Sequence, residues 1–219
     1  MLKSLPILHI APAMADPDLQ ALARVLDQIS LLTGAARAAI MALAVTRRLA
    51  PGQHLLRAGE TATQVMFVAE GLLREYYIDG AGRESTRRFC QPGEFSGSLA
   101  DLLAGGPSAV SIEALETTRI IDIEWARLDA LAETHPCLMK LMRRFAEGLY
   151  VRKMRREFEM LTMPAAQRYA RFVRDEPGLN ARLPRHMVTS YLGITQVHLS
   201  RLGAADRLPR SPAMRGRKK

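Results

Sequence analysis

Apolar residues recur at helical spacing from Asp16 onward, with Leu19, Leu22, Leu26 and Ile29 returning every three or four positions. Asp16 suits the cap of this helix and Pro17 its first position. The same spacing predicts a second helix over 35–49, with Ile40, Leu43 and Ala44 inward. The texture then changes. From Pro51 to Ile123, short β-type runs alternate with Gly and Pro turns, over 53–57, 65–69, 72–78, 84–90, 109–114 and 118–123. Asp79-Gly80-Ala81-Gly82 reads as a hairpin turn. Strands at this regular spacing predict a small antiparallel jelly roll.

Glu124 opens a helix to about Glu133, and Pro136 starts a much longer one. Residues 137–163 hold no proline, and Gly148 is their one glycine. The apolar stripe runs Leu138, Leu141, Phe145, Leu149 and then Val151, Met154, Phe158, Leu161. The last four alternate steps of three and four, the spacing of a coiled-coil seam. They predict a dimer interface on the second half of the helix, the first half packing on its own barrel. Pro164 marks a boundary. A helix over 165–174 follows, with Tyr169, Phe172 and Val173 inward, then a loop at Glu176-Pro177-Gly178.

The stretch 185–202 carries two short helical patterns hinged at Gly193. Val188 and Leu192 share a face of the first, Leu199 and Leu202 a face of the second, and Ile194 fills the angle between them. Thr189 is small enough to let the helices approach. Gly193 stands where a tight turn favours positive φ, and Thr195 can cap the second helix. This is the apolar skeleton of a helix-turn-helix, whose second helix enters the DNA major groove. Gln196, Val197, Ser200 and Arg201 form the exposed reading set. Thr195, His198 and Arg185 flank them as further contacts.

Charge supports that reading over an ordinary helical hairpin. Residues 143–219 hold 18 Lys and Arg against 6 Asp and Glu, whereas residues 1–142 hold 13 against 16. The basic excess lies wholly in the half with the hinge motif, as a phosphate-binding surface requires. Cys90 and Cys137 are too few for a disulfide framework and have no metal-ligand spacing. No apolar run reaches the roughly 18 residues of a membrane span. The opening Met1-Leu-Lys-Ser-Leu-Pro makes a poor signal peptide. A cytoplasmic location is expected.

The order jelly roll, long helix, helix-turn-helix resembles the Crp/Fnr family of bacterial transcription regulators. The resemblance rests on Arg48-Leu-Ala-Pro-Gly52, Leu56-Arg-Ala-Gly-Glu60, Val68-Ala-Glu-Gly-Leu72, Pro92-Gly-Glu-Phe-Ser-Gly97, Tyr191-Leu-Gly-Ile-Thr195 and Leu199-Ser-Arg-Leu202. It spans residues 30 to 202 or so. It implies an α+β chain in four parts. Residues 1–135 form a cyclic-nucleotide-binding-like sensor domain with N-terminal helices. Residues 136–163 form a long dimerisation helix, 164–203 a DNA-binding domain, and 204–219 a basic tail read as disordered.

In this family the phosphate-binding cassette follows Pro-Gly-(Asp/Glu)-Phe-x-Gly. The resemblance therefore places the effector pocket at Phe95, Gly97, Ser98, Leu99, Ser108 and Ala109. Cyclic-nucleotide binders carry a Glu at the position of Ser98, and Arg and Ser/Thr at Ser108 and Ala109. No cationic residue lies between Asp101 and Glu113, so cAMP and cGMP are not expected as ligands. An uncharged effector, or none, remains open. Iron–sulfur sensing of the Fnr kind needs four cysteines, and His54 is the one histidine in the barrel region, so no cofactor is expected. The early Arg-Glu pair of the best-known reading helices is replaced by Gln196 and Val197. Gln196 can bond an adenine edge, Val197 touch a thymine methyl and Arg201 bond a guanine. Expected partners are double-stranded DNA, a second copy of the chain and, by resemblance, RNA polymerase.

Two other readings stand beside this one. One is an effector-binding or scaffold module of the same fold that has lost specific DNA binding. The absence of a strand pattern after Leu202, where the family has a β-hairpin wing, favours it. The other is an enzyme on a cupin-like barrel. It needs clustered metal ligands, and His9, His54, His135, His186 and His198 are scattered along the chain.

Overall fold

The Asp16 carboxylate accepts the amide of Asp18 at 2.8 Å, and Pro17 takes the first helical position. Helix α1 therefore starts where capping chemistry places it and runs Pro17–Ile29. The computed structural model describes residues 16–205, so the signal-like opening and the basic tail beyond Ala205 lie outside the described residues. Thr33 caps α2 by accepting the Ala36 amide, and α2 runs Gly34–Leu43. The helix expected over 35–49 is thus too long. Val45–Leu49 is a strand, β1, which pairs antiparallel with β8 (Thr118–Glu124) from Val45↔Asp122 to Leu49↔Thr118. Tertiary pairing and two β-branched residues at its start override the helical pattern there.

The remaining strands are β2 (His54–Leu56), β3 (Gln64–Glu70), β4 (Leu73–Ile78), β5 (Glu84–Cys90), β6 (Phe95–Ser96) and β7 (Ser111–Ala114). They form two four-stranded sheets, ordered β1-β8-β3-β6 and β2-β7-β4-β5, with every pairing antiparallel. This is the expected jelly roll. Strands β3 and β8 read as nearly continuous apolar runs because both their faces are covered. Met66, Val68 and Ile120 point into the roll, joining Leu49, Leu56, Leu73, Cys90 and Ile112. Phe67, Ile121 and Ile123 point outward to a second core with Leu22, Leu26 and Ile40 of the first helices. The Asp79 carboxylate accepts the amides of Ala81 and Arg83 to close the β4–β5 hairpin. Gly71 is fixed by space as well as by its φ of +95°, since a Cβ there would lie 2.7 Å from the Thr118 Cα.

Two elements were hidden in the loops. Helix α3 (Leu99–Ala104) follows β6, and α7 (Leu179–Arg182) follows the Pro177-Gly178 turn. The expected α4 (Trp125–Thr134) and long α5 (Pro136–Thr162) are present. In α5, Leu138 and Leu141 are buried in the outer core, whereas Val151, Met154, Phe158 and Leu161 are exposed. Then come α6 (Ala165–Asp175), α8 (Arg185–Leu192) and α9 (Gln196–Ala205).

The chain forms two compact units that divide between Arg152 and Lys153, inside α5 and before Pro164. The end of α5 belongs with the second unit, because Glu159 pairs with Arg171 of α6 at 3.1 Å and Arg156 donates to the Tyr191 carbonyl of α8.

Candidate DNA-reading helix and effector pocket

Val188, Thr189 and Leu192 of α8 and Leu199 of α9 are buried, together with Phe172, Leu179 and Leu183. Gly193 between them is left-handed, with φ +63° and ψ +43°. The Ile194 amide reaches back to the Thr189 carbonyl at 3.0 Å, so the turn satisfies its own backbone. Thr195 Oγ1 accepts the His198 amide at 3.2 Å and starts α9.

Two arginines hold the negative end of α8. Arg168 donates to the Leu192 carbonyl at 3.1 Å. Arg156 donates to the Tyr191 carbonyl and stacks over the Tyr191 ring at 4.1 Å. The hinge is therefore braced from both sides, and the early turns of α9 are left open. Thr195, Gln196, Val197, His198, Ser200 and Arg201 are all exposed, as is Arg185 at the start of α8. Gln196 and Ser200 lie one turn apart, as do Val197 and Arg201. Ser200 donates its hydroxyl to the Gln196 carbonyl at 3.0 Å, so toward a ligand it offers an acceptor. Arg185 and Arg201 form no ion pair among the described residues.

The effector pocket expected in the N-terminal unit is divided by the structure into a polar and an apolar part. Ser98 and Ser108 are buried and face one carboxylate, that of Asp101. Asp101 Oδ2 accepts Ser98 Oγ at 2.5 Å, Ser108 Oγ at 2.7 Å and the Ala109 amide at 3.3 Å. Burial works to raise the Asp101 pKa. The hydrogen bonds from Ser108, Ser98 and Ala109, with the field of Arg87, outweigh it and hold the carboxyl below its ordinary range. Glu75 on β4 is fully buried nearby. Its Oε1 accepts Ser96 Oγ at 2.9 Å and the Cys90 thiol at 3.3 Å, while Arg87 stands 3.6 Å from Oε2. Burial, and then the Glu75 charge, push the Cys90 thiol well up. Arg87 thus stands between two carboxylates, and Arg88, also in the field of Glu75, pairs with Glu94 at 3.4 Å, so these cations are matched by carboxylates where a bound phosphate would need an excess of positive charge.

Phe95 and Leu99 turn the other way and line an apolar cavity. Gly97, at φ +137°, runs against the Gln64 carbonyl, which a Cβ would approach to 3.3 Å.

Residues 46–135 match the cyclic nucleotide-binding domain family. The transcriptional activator Anr of Pseudomonas aeruginosa is 30% identical over 71% of this chain and 68% of its own length. The chain belongs to the Crp/Fnr family of transcription regulators. FnrA of Stutzerimonas stutzeri, another transcriptional activator, is 30% identical with the same coverage, 71% of this chain and 68% of its own. Among solved structures, the c-di-GMP-responsive regulator CLP of Xanthomonas campestris superposes with a TM-score of 0.65 at 17% identity, over 83% of this chain and 96% of that one. FixK2 of Bradyrhizobium japonicum gives 0.62 at 22%, over 78% and 89%. At these identities the two structures establish the fold.

Within this Crp/Fnr chain, the reading set expected from sequence is gathered on one short stretch of α9. The six pocket residues are not gathered. Ser98, Ser108 and Ala109 converge on Asp101, Phe95 and Leu99 face apolar space, and Gly97 serves the backbone. Asp101 itself was missed. Its signal was present, because Ser98-Leu-Ala-Asp101 is a capping-box pattern. The Ser98 side chain makes no cap bond to the backbone of α3 and gives its hydrogen to Asp101 instead. Arg156 and Arg168 were also missed as braces, because their partners lie far along the chain. Among the described residues, no group of three or more His, Cys, Asp or Glu is placed to hold a metal, and no helix is long and apolar enough to cross a membrane.

Proposed function

We propose that this chain reads double-stranded DNA as a homodimer, inserting α9 of each copy into the major groove of successive half-sites roughly 34 Å apart. One observation carries the reading. The hinge at Gly193 buries Val188, Leu192 and Leu199 and leaves Gln196, Val197, Ser200 and Arg201 exposed on α9. Gln196 and Arg201 supply hydrogen bonds to base edges, each good bidentate pair discriminating by roughly 1–3 kcal/mol. Arg185 and Thr195 serve the phosphates. The seam Val151, Met154, Phe158 and Leu161 joins the two copies, since four apolar side chains in solvent on one helix need a cover. The reading assigns the protein a cytoplasmic place, no catalytic step and no cofactor. Contact with RNA polymerase rests on the resemblance alone.

The roll does not take a cyclic nucleotide in this reading. Asp101 already holds the two hydroxyls and the amide that an anion would use, and Glu75 adds a second negative charge.

Capture of genomic fragments on the purified protein at moderate salt, in parallel with Arg201→Ala, tests the reading. Enrichment of a two-fold-symmetric sequence that the variant loses is the expected result. Weak capture, indifferent to sequence and unchanged in the variant, refutes it and returns attention to an effector-binding module without specific DNA binding.

A further inference from the structure

A cavity of about 420 Å³ opens between α1, α3, α4, α5 and the outer face of the first sheet. Its floor is formed by Leu26, Ile40, Ile123 and Leu141, none more than 4% exposed. These outer-core residues back the cavity and show little of their surface to it. Protein interiors are packed as densely as organic crystals and contain few voids larger than a water molecule. A void of this size matches a small-molecule site.

The rings of Phe95, Trp125 and Phe145 line it, with Leu99 and Leu103 from α3 and the adaptable Met139 and Met142 from α5. Asp129 and Arg143 are the charged residues among those lining it; both are exposed, and Arg143 pairs with Glu147 at 2.7 Å. Water entering the deep part would find no hydrogen-bond partners, which is the condition under which apolar cavities stay dry and bind apolar molecules. None of the lining residues belongs to the core inside the roll, so this space is separate from the cassette closed by Asp101.

We propose that this cavity is a binding site for an uncharged, apolar small molecule of one or two rings. A charged ligand would lose its hydration without a partner in the deep part. A second copy of the chain could cover Met139 and Leu103 at the rim, but a helix or strand laid across the mouth leaves most of the roughly 420 Å³ unfilled. Occupancy would press on Leu99 and Leu103. The same short helix holds Asp101, and through it Ser108 and Ala109, so α3 couples the cavity to the roll. That the ligand acts as an effector rests on the DNA-binding reading; that it binds does not.

Trp125 is the one tryptophan of the chain and lines the cavity, so it reports occupancy. The full chain is titrated with 1-bromonaphthalene, an uncharged two-ring molecule whose bromine quenches indole fluorescence. Saturable quenching is expected at one molecule per chain. Ala146→Phe at the mouth and Leu99→Phe on α3, each checked for an unchanged circular dichroism spectrum, are expected to weaken it at least tenfold. Phe158→Glu on the seam should leave it unchanged. Quenching that rises linearly without saturation, or that the filling variants do not weaken, overturns the proposal. So does quenching that disappears as protein concentration drives self-association, which makes a second copy the occupant. Saturable quenching that develops only after deletion of residues 1–15 makes that segment the occupant and equally overturns it. Parallel titration of DNA binding separates the two readings, because quenching with unchanged DNA affinity leaves the site standing and removes only its effector role.

Discussion

Replacing Asp101 by alanine removes one carboxylate oxygen that gathers three hydrogen bonds. Hydrogen bonds to a charged group are each worth roughly 1.5–3 kcal/mol, and a simple sum of three would reach about 4.5–9 kcal/mol. The geometry gives a smaller figure. Ser108 can turn its hydroxyl to the Val110 carbonyl, already at 3.1 Å. Ala109 is exposed, so its amide finds water. Only the Ser98 hydroxyl, on a residue 2% exposed, is left without an acceptor. The expected loss is therefore about 2 kcal/mol, which lowers the melting midpoint of the N-terminal unit by roughly 4–8 °C.

The pH dependence gives a second readout. The Asp101 pKa is lowered in the folded protein from 3.8. Its stabilisation is thus fully present above that value and is lost as pH falls through the folded pKa. The difference between parent and variant should be flat from about pH 7 to 5 and shrink below about pH 4. Calorimetry across that range checks both points. Equal midpoints at pH 7, or a difference that grows on acidification, would refute the account of Asp101 as the internal anion of the cassette.

Isothermal titration with cAMP or cGMP should show no binding, and a micromolar dissociation constant for either would remove the argument from Glu75 and Asp101. Gly71→Ala must place a Cβ against the Thr118 backbone at a φ of +95°, and urea unfolding should show a loss of about 3 kcal/mol; a loss below 0.5 would mean the turn relaxes freely. Val151→Glu combined with Phe158→Glu should yield a folded monomer in sedimentation velocity, since both side chains are exposed in the single chain, and a persisting dimer would place the seam elsewhere.

The helix-turn-helix was legible because every determinant is local. Val188 and Leu192 keep helical spacing in the first helix, Leu199 and Leu202 in the second, and Gly193 sits where a left-handed residue closes the turn. The jelly roll was legible from its turns, with Asp79-Gly80-Ala81-Gly82 the clearest. Strand β1 was not, because its identity depends on β8, and Arg47 must find Asp122 75 positions along the chain. No breaker separates Leu43 from Val45 to announce the change. The pocket was half legible. Sequence counting located Ser98 and Ser108, but only the fold reveals that they share one acceptor, and a void between packed helices leaves no trace in a linear pattern.

The two braces on α8 bear on how binding responds to salt. Arg156 and Arg168 are committed to backbone carbonyls, and Arg171 and Arg174 to Asp175. Each is counted in the basic excess of the C-terminal half, yet each already has a partner within the protein that a phosphate would have to displace. Each phosphate neutralised steepens the dependence of log affinity on log salt by about 0.9. The slope for this protein should therefore follow the uncommitted cations such as Arg185 and Arg201, and be shallower than its formal charge implies. Under the proposed reading, a regulator built this way gives up part of its non-specific hold on the duplex for a rigid hinge, and depends the more on the bases that α9 meets.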